Sequence, residues 1–567
     1  MKRIKHQTSS CRSWRIFLPL GLAALLGLSV ALFGTPGAGD SPSKSVIVQA
    51  ADARVAANAV RGVGGEVTHE LGIINAVGAE LTPRQVETLR STPGIKRIDA
   101  DHAVGVSGGN PANIADTGYP TLLGADRLHQ VGIDGSGVTV AVLDTGLWHH
   151  KALDEGRDGH SRILAEYDAI KNESLGSKYT EWSGHGSHVT SIILSSNNAG
   201  SKTDPLYNGI APNADVVVVR AFNSAGAGTY LDVIRGIDWV VANKDQYGIR
   251  VLNLSLSAKP RSHYWDDPLN QAVMAAWKEG IVIVASAGNS GPDAMTIGVP
   301  GNVPYVITVG AMSDNYTPTD GTDDFLASFS AAGPTAEGFV KPEIVAPGGH
   351  VLGLMRKSSV IPHLHPEFHD GTQYFTMSGT SQSAAVVSGV VALMLQSDPS
   401  LTVDQVKSRL MSSARPAVDD SGKLAYTVFQ QGAGMVNAYD AVFATGSECA
   451  NRGLSIDLDR ANVQHFGGRA NRAADGSYYL MGLEGDAYLW GDAYLWGDAY
   501  LWSDAYLWAD AYLWADAYLW SDGYNWYEDA VYSEGYLWAD AYLWGDAYLW
   551  SDGMTEAMAI NTWVPQL

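Results

Sequence analysis

Between Thr121 and Ala444 short apolar runs alternate with stretches whose apolar residues recur every three or four positions. The runs VTVAVLD, DVVVVRAF, VLNLSLS, IVIVASAG and YVITVGA are nearly continuous in β-branched residues. Strands buried on both faces need that pattern, whereas a half-exposed strand would alternate. TYLDVIRGIDWVVAN and DPLNQAVMAAWKEG carry helical spacing. Such alternation predicts an α/β fold, a doubly wound, mostly parallel sheet with helices on both faces. Ligands on such sheets lie beyond the carboxyl ends of the strands, so the residues that follow each run are the first places to look for chemistry.

Ahead of this region, residues 45–103 read SVIVQA, a helical stretch near Ala51–Val60, GGEVTHEL, IINAVGAEL, a helix launched by LTPRQVETLR, and GIKRIDAD. Strand, helix, strand, strand, helix, strand is the order of a small α+β split βαβ module. The expected organisation is 1–39 as an export signal, 40–105 as this module, 106–447 as the α/β domain, 448–484 as a linker with some order, 485–556 as a repeat and 557–567 as a tail.

The repeat is GDAYLW and its variants, twelve units of six from Gly485 to Glu556, with SDGYNW, YEDAVY and SEGYLW degenerate. A helix turns about 100° per residue, so each unit would be rotated by roughly 240° and the large side chains would smear around the cylinder. An even period keeps every residue on its own face of a strand. Two β architectures fit: a hexapeptide β-helix of about four coils, and a meander turning at Gly-Asp or Ser-Asp. The segment holds ten tryptophans and fourteen acidic side chains without a lysine or arginine. Exposed rings would bind a cell-surface or polymer ligand, and rings packed on one another would make a structural stalk.

The formal net charge of −23 excludes nucleic acid as a natural partner. Lys2, Arg3, Lys5, Arg12 and Arg15 precede the nineteen-residue run IFLPLGLAALLGLSVALFG and the small residues around Gly37–Gly39, the layout of an export signal; left uncut, the run is long enough to anchor the chain in a bilayer. A secreted or cell-surface location is expected. Cys11 lies in that segment and leaves Cys449 alone in the processed chain, so stability must come from packing.

The strand ends then supply four residues. Asp144 ends VAVLD, His185 opens the apolar run HGSHVTSIIL, Asn289 sits in VASAGNSGP, and Ser381 heads GTSQSAAVVSGVVALML. Singly, each has an ordinary structural reading as a cap, a turn or a buried histidine. Together they form a chemical set. A serine hydroxyl is a weak nucleophile until a base takes its proton, and the base needs a third group to fix its tautomer. Ser381, His185 and Asp144 fill those roles, and the Asn289 amide with the Ser381 N–H would hold the oxyanion.

On DTG, HGSHV, AGNSGP and GTS, residues 120–446 resemble the subtilisin family of serine peptidases. GIAPNADVVVVRAF, NLSLS, VPYVITVGA, FSAAGPT, KPEIVAPG and GAGMVNAYDAV support the likeness. The resemblance implies a secreted serine endopeptidase made as a zymogen, acting on protein or peptide substrates. It identifies the 40–105 module as an inhibitory propeptide, cut away between about Asp101 and Thr117. It places peptide substrate along Ser255, Leu256 and Ser257 on one side and Ser286, Ala287 and Gly288 on the other, with Ser257 standing where a glycine is usual. Two departures are visible. Ser381 is followed by Gln382, Ser383, Ala384 and Ala385 where the family has Met, Ala and a proline, and the histidine motif reads HGSHVTS.

The chemistry requires no cofactor; calcium is the structural ion the family would use, through a loop such as SSNNAGSKTD. In VIPHLHPEFHDG, His363, His365, Glu367 and His369 would share one face of an extended strand and suit zinc. Pro366 favours a solvated loop, and no metal ligand is assigned there. The competing reading is a catalytically silent surface-binding protein whose domain only displays the aromatic repeat.

Overall fold

The computed structural model describes residues 43–100, 114–175, 181–481 apart from 202, 316, 318–322, 420–422, 447–448 and 474, and 557–559. The chain divides into two compact units, residues 1–106 and 107–567.

In the first unit the strands are β1 (Lys44–Ala50), β2 (Glu66–Leu71), β3 (Ala76–Leu81) and β4 (Ile95–Ala100), with helices Ala53–Gly62 and Pro83–Arg90. They form one antiparallel sheet in the order β2-β3-β1-β4, and the succession of elements is the one read from the sequence. Local chemistry starts both helices. Asp52 accepts the N–H groups of Arg54 and Val55, and Thr82 and Gln85 form a reciprocal capping box ahead of Pro83. Val46, Val48, Ala56, Val60, Val77, Leu81 and Leu89 close a core of its own.

The second unit is built on β5 (Thr139–Asp144), β6 (Ile163–Asp168), β7 (Glu173–Ser174), β8 (Asp215–Arg220), β10 (Ile249–Leu254), β11 (Val282–Ser286), β12 (Ile307–Ser313), β13 (Phe325–Leu326) and β14 (Ile344–Pro347). The sheet runs β13-β12-β11-β10-β5-β8-β6-β7, with β14 also on β12. Its interior pairs are parallel, and the antiparallel ones, β12–β13 and β6–β7, are at its margins. Every residue of β5, β11 and β12 is buried, as the unbroken apolar runs require. Short elements flank the sheet: β9 (Ala227–Thr229), the pair β15 (Val351–Leu354) and β16 (Tyr374–Met377), the pair β17 (Ala470–Arg472) and β18 (Tyr478–Leu480), and β19 (Ala557–Ala559).

Two helices run through the interior. His185–Leu194 is buried along its whole length, and Thr380–Ser397 is buried from Thr380 to Leu395. Apolar residues all round a helix, as in SAAVVSGVVALML, require such a position. Gly389 lets the second helix approach: a Cβ there would stand 2.5 Å from the Ile210 side chain.

Two expectations are corrected. Residues 449–481, read as a linker, are part of the second unit. Asp459 is buried and accepts hydrogen bonds from Tyr264 and Tyr305, and Gly468 donates to the Glu337 carbonyl. The segment 360–369, expected as a solvated loop, is helical at Val360–Leu364 and a 3-10 turn at Pro366–Phe368, with Ile361 buried against Met355, Phe375 and Met377. The histidines therefore do not share one strand face, and His369 Nε2 meets the Met355 carbonyl at 3.1 Å. The export signal, almost all of the expected cleavage region and the hexapeptide repeat lie outside the described residues.

Candidate active site

Asp144 is the last residue of β5, at the carboxyl end of a central strand. His185 is the first residue of its helix, and Ser381 the second of its own. All three side chains are buried. His185 Nδ1 lies 2.8 and 2.9 Å from the two Asp144 carboxylate oxygens, and the Thr145 N–H donates to Oδ1 at 2.7 Å. A carboxylate only accepts, so Nδ1 carries a proton, and in the neutral ring the lone pair is then on Nε2. That Nε2 is buried and has no hydrogen-bond partner among the described residues. The Ser381 hydroxyl donates to the Ser255 carbonyl at 3.2 Å, and Ser255 Oγ donates back to the Ser381 carbonyl at 2.8 Å.

Asn289 lies just beyond β11. Its Oδ1 accepts from the Thr380 N–H at 3.0 Å and the Thr380 hydroxyl at 2.8 Å. An N–H can donate only to the amide oxygen, so this pairing fixes which way the amide points. Nδ2 is left buried and without a hydrogen-bond partner among the described residues. The Ser381 N–H is in the first turn of its helix, where no intrahelical acceptor exists.

The histidine loop holds a group that the sequence reading did not single out. Glu181 is wholly buried; it accepts from Thr145 Oγ1 at 2.8 Å, from Ser187 Oγ at 2.9 Å and from the Gly184 N–H. It ties the turn after Asp144 to the helix that begins with His185. Burial pushes its carboxyl up from the ordinary range, against the three donated hydrogen bonds. The only signal in EWSGHGSHV was an acid among small residues ahead of a buried helix. Gly186 is needed where these segments meet, since a Cβ there would lie 2.3 Å from the Gly146 carbonyl oxygen.

The six expected substrate-binding residues fall at the ends of β10 and β11. Ser286 Oγ donates to the Leu256 carbonyl at 2.8 Å and joins the two segments. The Ala287 N–H donates to Val309, its carbonyl accepts from Gly298, and the Gly288 N–H donates to Thr380 Oγ1. These backbone groups are therefore already engaged within the fold. A cavity of about 400 Å³, lined among others by Ser257, Ser290, Thr296, Ile297, Gly298 and Ala336, opens alongside. Ser257 Oγ lies 1.9 Å from where a Cβ on Gly298 would stand and 3.0 Å from the same point on Gly288. Ser257 thus lines the cavity packed against Gly298.

The helix of Ser381 forms without the missing proline. Ser383 Oγ donates to the Ala346 carbonyl, and Gln382 Nε2 reaches His188 Nδ1 at 3.4 Å. Burial pushes His188 down to about 4, which keeps this neighbour of His185 neutral. In the 195–204 loop the Asn198 side-chain oxygen accepts the N–H groups of Gly200 and Leu206, so that oxygen is not free for calcium.

His149, five residues beyond Asp144, bridges Asp154 at 3.1 Å and Glu166 at 3.4 Å, and these two carboxylates push it up to about 10. A raised folded-state pKa stabilises fully below the ordinary histidine range, and the contribution is lost as pH rises through about 10. His149→Gln is expected to lower Tm by roughly 1–3 °C at pH 6 and by nearly nothing above pH 10.5, the pair being about one-third exposed. Melting curves at both pH values, in Ser381→Ala protein, check this; an equal deficit at each would overturn it.

Comparison with known proteins agrees with the geometry. Residues 135–434 match the family model described as the subtilase family. Serine protease AprX of Bacillus subtilis (strain 168) is 36% identical over 376 residues, 65% of this chain and 79% of that protein. Subtilisin E of the same strain is 30% identical over 354 residues, 62% of this chain and 78% of the relative. Among solved structures, sphericase aligns with a TM-score of 0.44 and 26% identity, covering 54% of this chain and 92% of that one. The span matched by the family model contains Asp144, His185, Asn289 and Ser381. The chain belongs to the subtilase family and is a subtilisin-like serine endopeptidase.

Proposed function

We propose that Ser381 is the nucleophile, His185 the base and Asp144 the group that orients it, in an exported peptidase made as a zymogen. The observation that carries this is the His185 ring. Both Asp144 oxygens hold Nδ1, and Nε2 is left buried and unpaired.

In this reading Nε2 takes the Ser381 proton as Oγ attacks the scissile carbonyl, then hands it to the leaving amine. Water deacylates the enzyme by the reverse route. The developing oxyanion sits between Asn289 Nδ2 and the Ser381 N–H, donors already placed before charge appears. Protonating Nε2 removes the lone pair, so turnover falls on the acid side. Substrate passes along Ser255–Ser257, and its side chain before the scissile bond enters the cavity under Ser257. No cofactor takes part.

The first unit is read as the propeptide, an inhibitor of its own enzyme until cut away. The acidic, tryptophan-rich repeat is read as the part that serves location or stability.

Mass spectrometry after fluorophosphonate treatment tests the assignment. The expected result is one covalent label on Ser381 in the wild type and none in Ser381→Ala, with loss of residues 40–105 stopping in the variant. A folded wild-type chain freed of residues 40–105 that takes no label at Ser381 would reject the triad in favour of the silent-display reading.

A further inference from the structure

Strand β9 lies outside the main sheet and is attached to Asp144. The N–H groups of Ala221 and Phe222 both donate to the Asp144 carbonyl, at 2.9 and 3.3 Å. The chain then turns back, with Phe222 bridging Gly228 and the Asn223 N–H donating to the Ala227 carbonyl at 2.9 Å. One side of β9 is thus held against Phe222 and Asn223, in the turn that the Asp144 carbonyl anchors at the end of β5. Gly228 makes this hairpin possible, since a Cβ there would be 2.6 Å from the Ala221 carbonyl oxygen. Thr229 turns its hydroxyl toward the next helix, where it receives the Asp232 N–H.

The other edge of β9 is occupied by the chain itself. β19 pairs with it antiparallel, Ala557 opposite Thr229, Met558 opposite Gly228 and Ala559 opposite Ala227. An extended segment laid on a short open edge beside a peptidase centre uses the interaction by which an extended peptide is bound: main-chain hydrogen bonds to a strand edge. Such pairing is tolerant of sequence, so a substrate and a tethered segment compete for the same donors and acceptors.

We propose that residues 557–559 are a built-in competitor, a segment that adds to β9 and holds the edge a peptide substrate would take. The inference rests on the peptidase reading above, because it needs substrate to bind beside Asp144. Tethering makes the competition intramolecular, with an effective concentration on the order of millimolar at most. A substrate must therefore displace the segment, and anything that draws residues 557–559 away opens the edge.

The test uses the chain after it has lost residues 40–105, with Ser381 blocked by fluorophosphonate so that nothing more is cut and with intact mass confirming that residues 557–567 are present. Alternate N–H groups of a strand face the same neighbour, so of Ala557→Pro and Met558→Pro one removes a cross-strand donor. Met558→Ala keeps the backbone and serves as control. The probe is a fluorescein-labelled peptide of residues 554–562, MTEAMAINT, followed by polarisation.

At least one proline variant is expected to bind the probe three- to tenfold more tightly than the parent, with the alanine control unchanged. Equal affinity in all four chains would overturn the proposal, as would tightening in the alanine control alone. Fluorophosphonate labelling of the wild-type chain separates the two readings. A label at Ser381 with equal probe affinities rejects the competitor alone, whereas no label rejects the peptidase assignment beneath it.

Discussion

Asp144→Asn is expected to lower kcat by about 10⁴-fold while leaving the fold intact, the size of effect this change has in a serine peptidase of another fold. The hydrogen bonds at Asp144 explain why. Its Oδ1 accepts from both Thr145 N–H and His185 Nδ1, and Oδ2 accepts from Nδ1 as well. An asparagine keeps one oxygen, and the Thr145 N–H holds it. The amide nitrogen then faces His185 Nδ1, donor against donor. The imidazole relieves this by moving its proton to Nε2, the atom that must accept from Ser381. About 5 kcal/mol of transition-state stabilisation disappears without any loss of packing. Active-site titration followed by kcat on a peptide anilide measures the effect, and the melting temperature should stay within a few degrees of the parent. A variant retaining more than a tenth of wild-type kcat would remove Asp144 from its proposed role.

Much of this arrangement was legible in the sequence for a definite reason. VTVAVLD, DVVVVRAF, VLNLSLS, IVIVASAG and YVITVGA are β5, β8, β10, β11 and β12 with their following residues, because strands buried on both faces tolerate little but β-branched apolar side chains. A parallel sheet aims its strand ends to one side, so Asp144 and Asn289 could be found by reading the last residue of one run and the residue after another. Contacts between distant segments were not legible. Nothing near Asp459 announces that Tyr264 and Tyr305 donate to it, so residues 449–481 looked like a linker. Pro366 and the polar residues around it suggested a solvated loop at 363–369, and the burial of Ile361 instead folds its start into a helical turn. Glu181 escaped notice because its three partners, Thr145, Gly184 and Ser187, lie on two segments that meet only in the fold. The pairing of β19 with β9 is of the same kind, since main-chain strand addition leaves almost no mark on composition.

The largest stability effect is expected far from this chemistry, at Glu343. Its Oε1 lies 2.6 Å from Lys341 Nζ and 2.8 Å from Lys407 Nζ, and its Oε2 accepts the Thr308 N–H at 2.8 Å. All three charged residues are buried, so one carboxylate offsets two ammonium groups in the core. Carbonyls help: Lys341 Nζ donates to Val306, and Lys407 Nζ to Pro304 and Val306. Glu343→Gln would keep the Thr308 bond through its oxygen and turn an NH2 toward the lysines, removing their shared counter-charge and leaving Lys407 only the more distant Asp404. Breaking a buried pair in this way costs about 3–5 kcal/mol, roughly 4–6 °C in Tm for a unit of this size. Burial pushes Lys341 down to about 7, with Lys407 adding to the fall and Glu343 opposing it. A depressed lysine makes the unfolded chain bind more protons between pH 7 and the ordinary lysine range, so this group makes stability rise with pH across that window. Glu343→Gln should therefore melt farthest below the parent near pH 7 and recover in part by pH 10, where Lys341 is neutral. Adding Lys341→Met should restore part of the loss at pH 7 by removing one of the stranded cations. Melting curves in the Ser381→Ala background at both pH values measure all three, and a deficit below about 1 kcal/mol at pH 7 would show that the two lysines do not depend on Glu343.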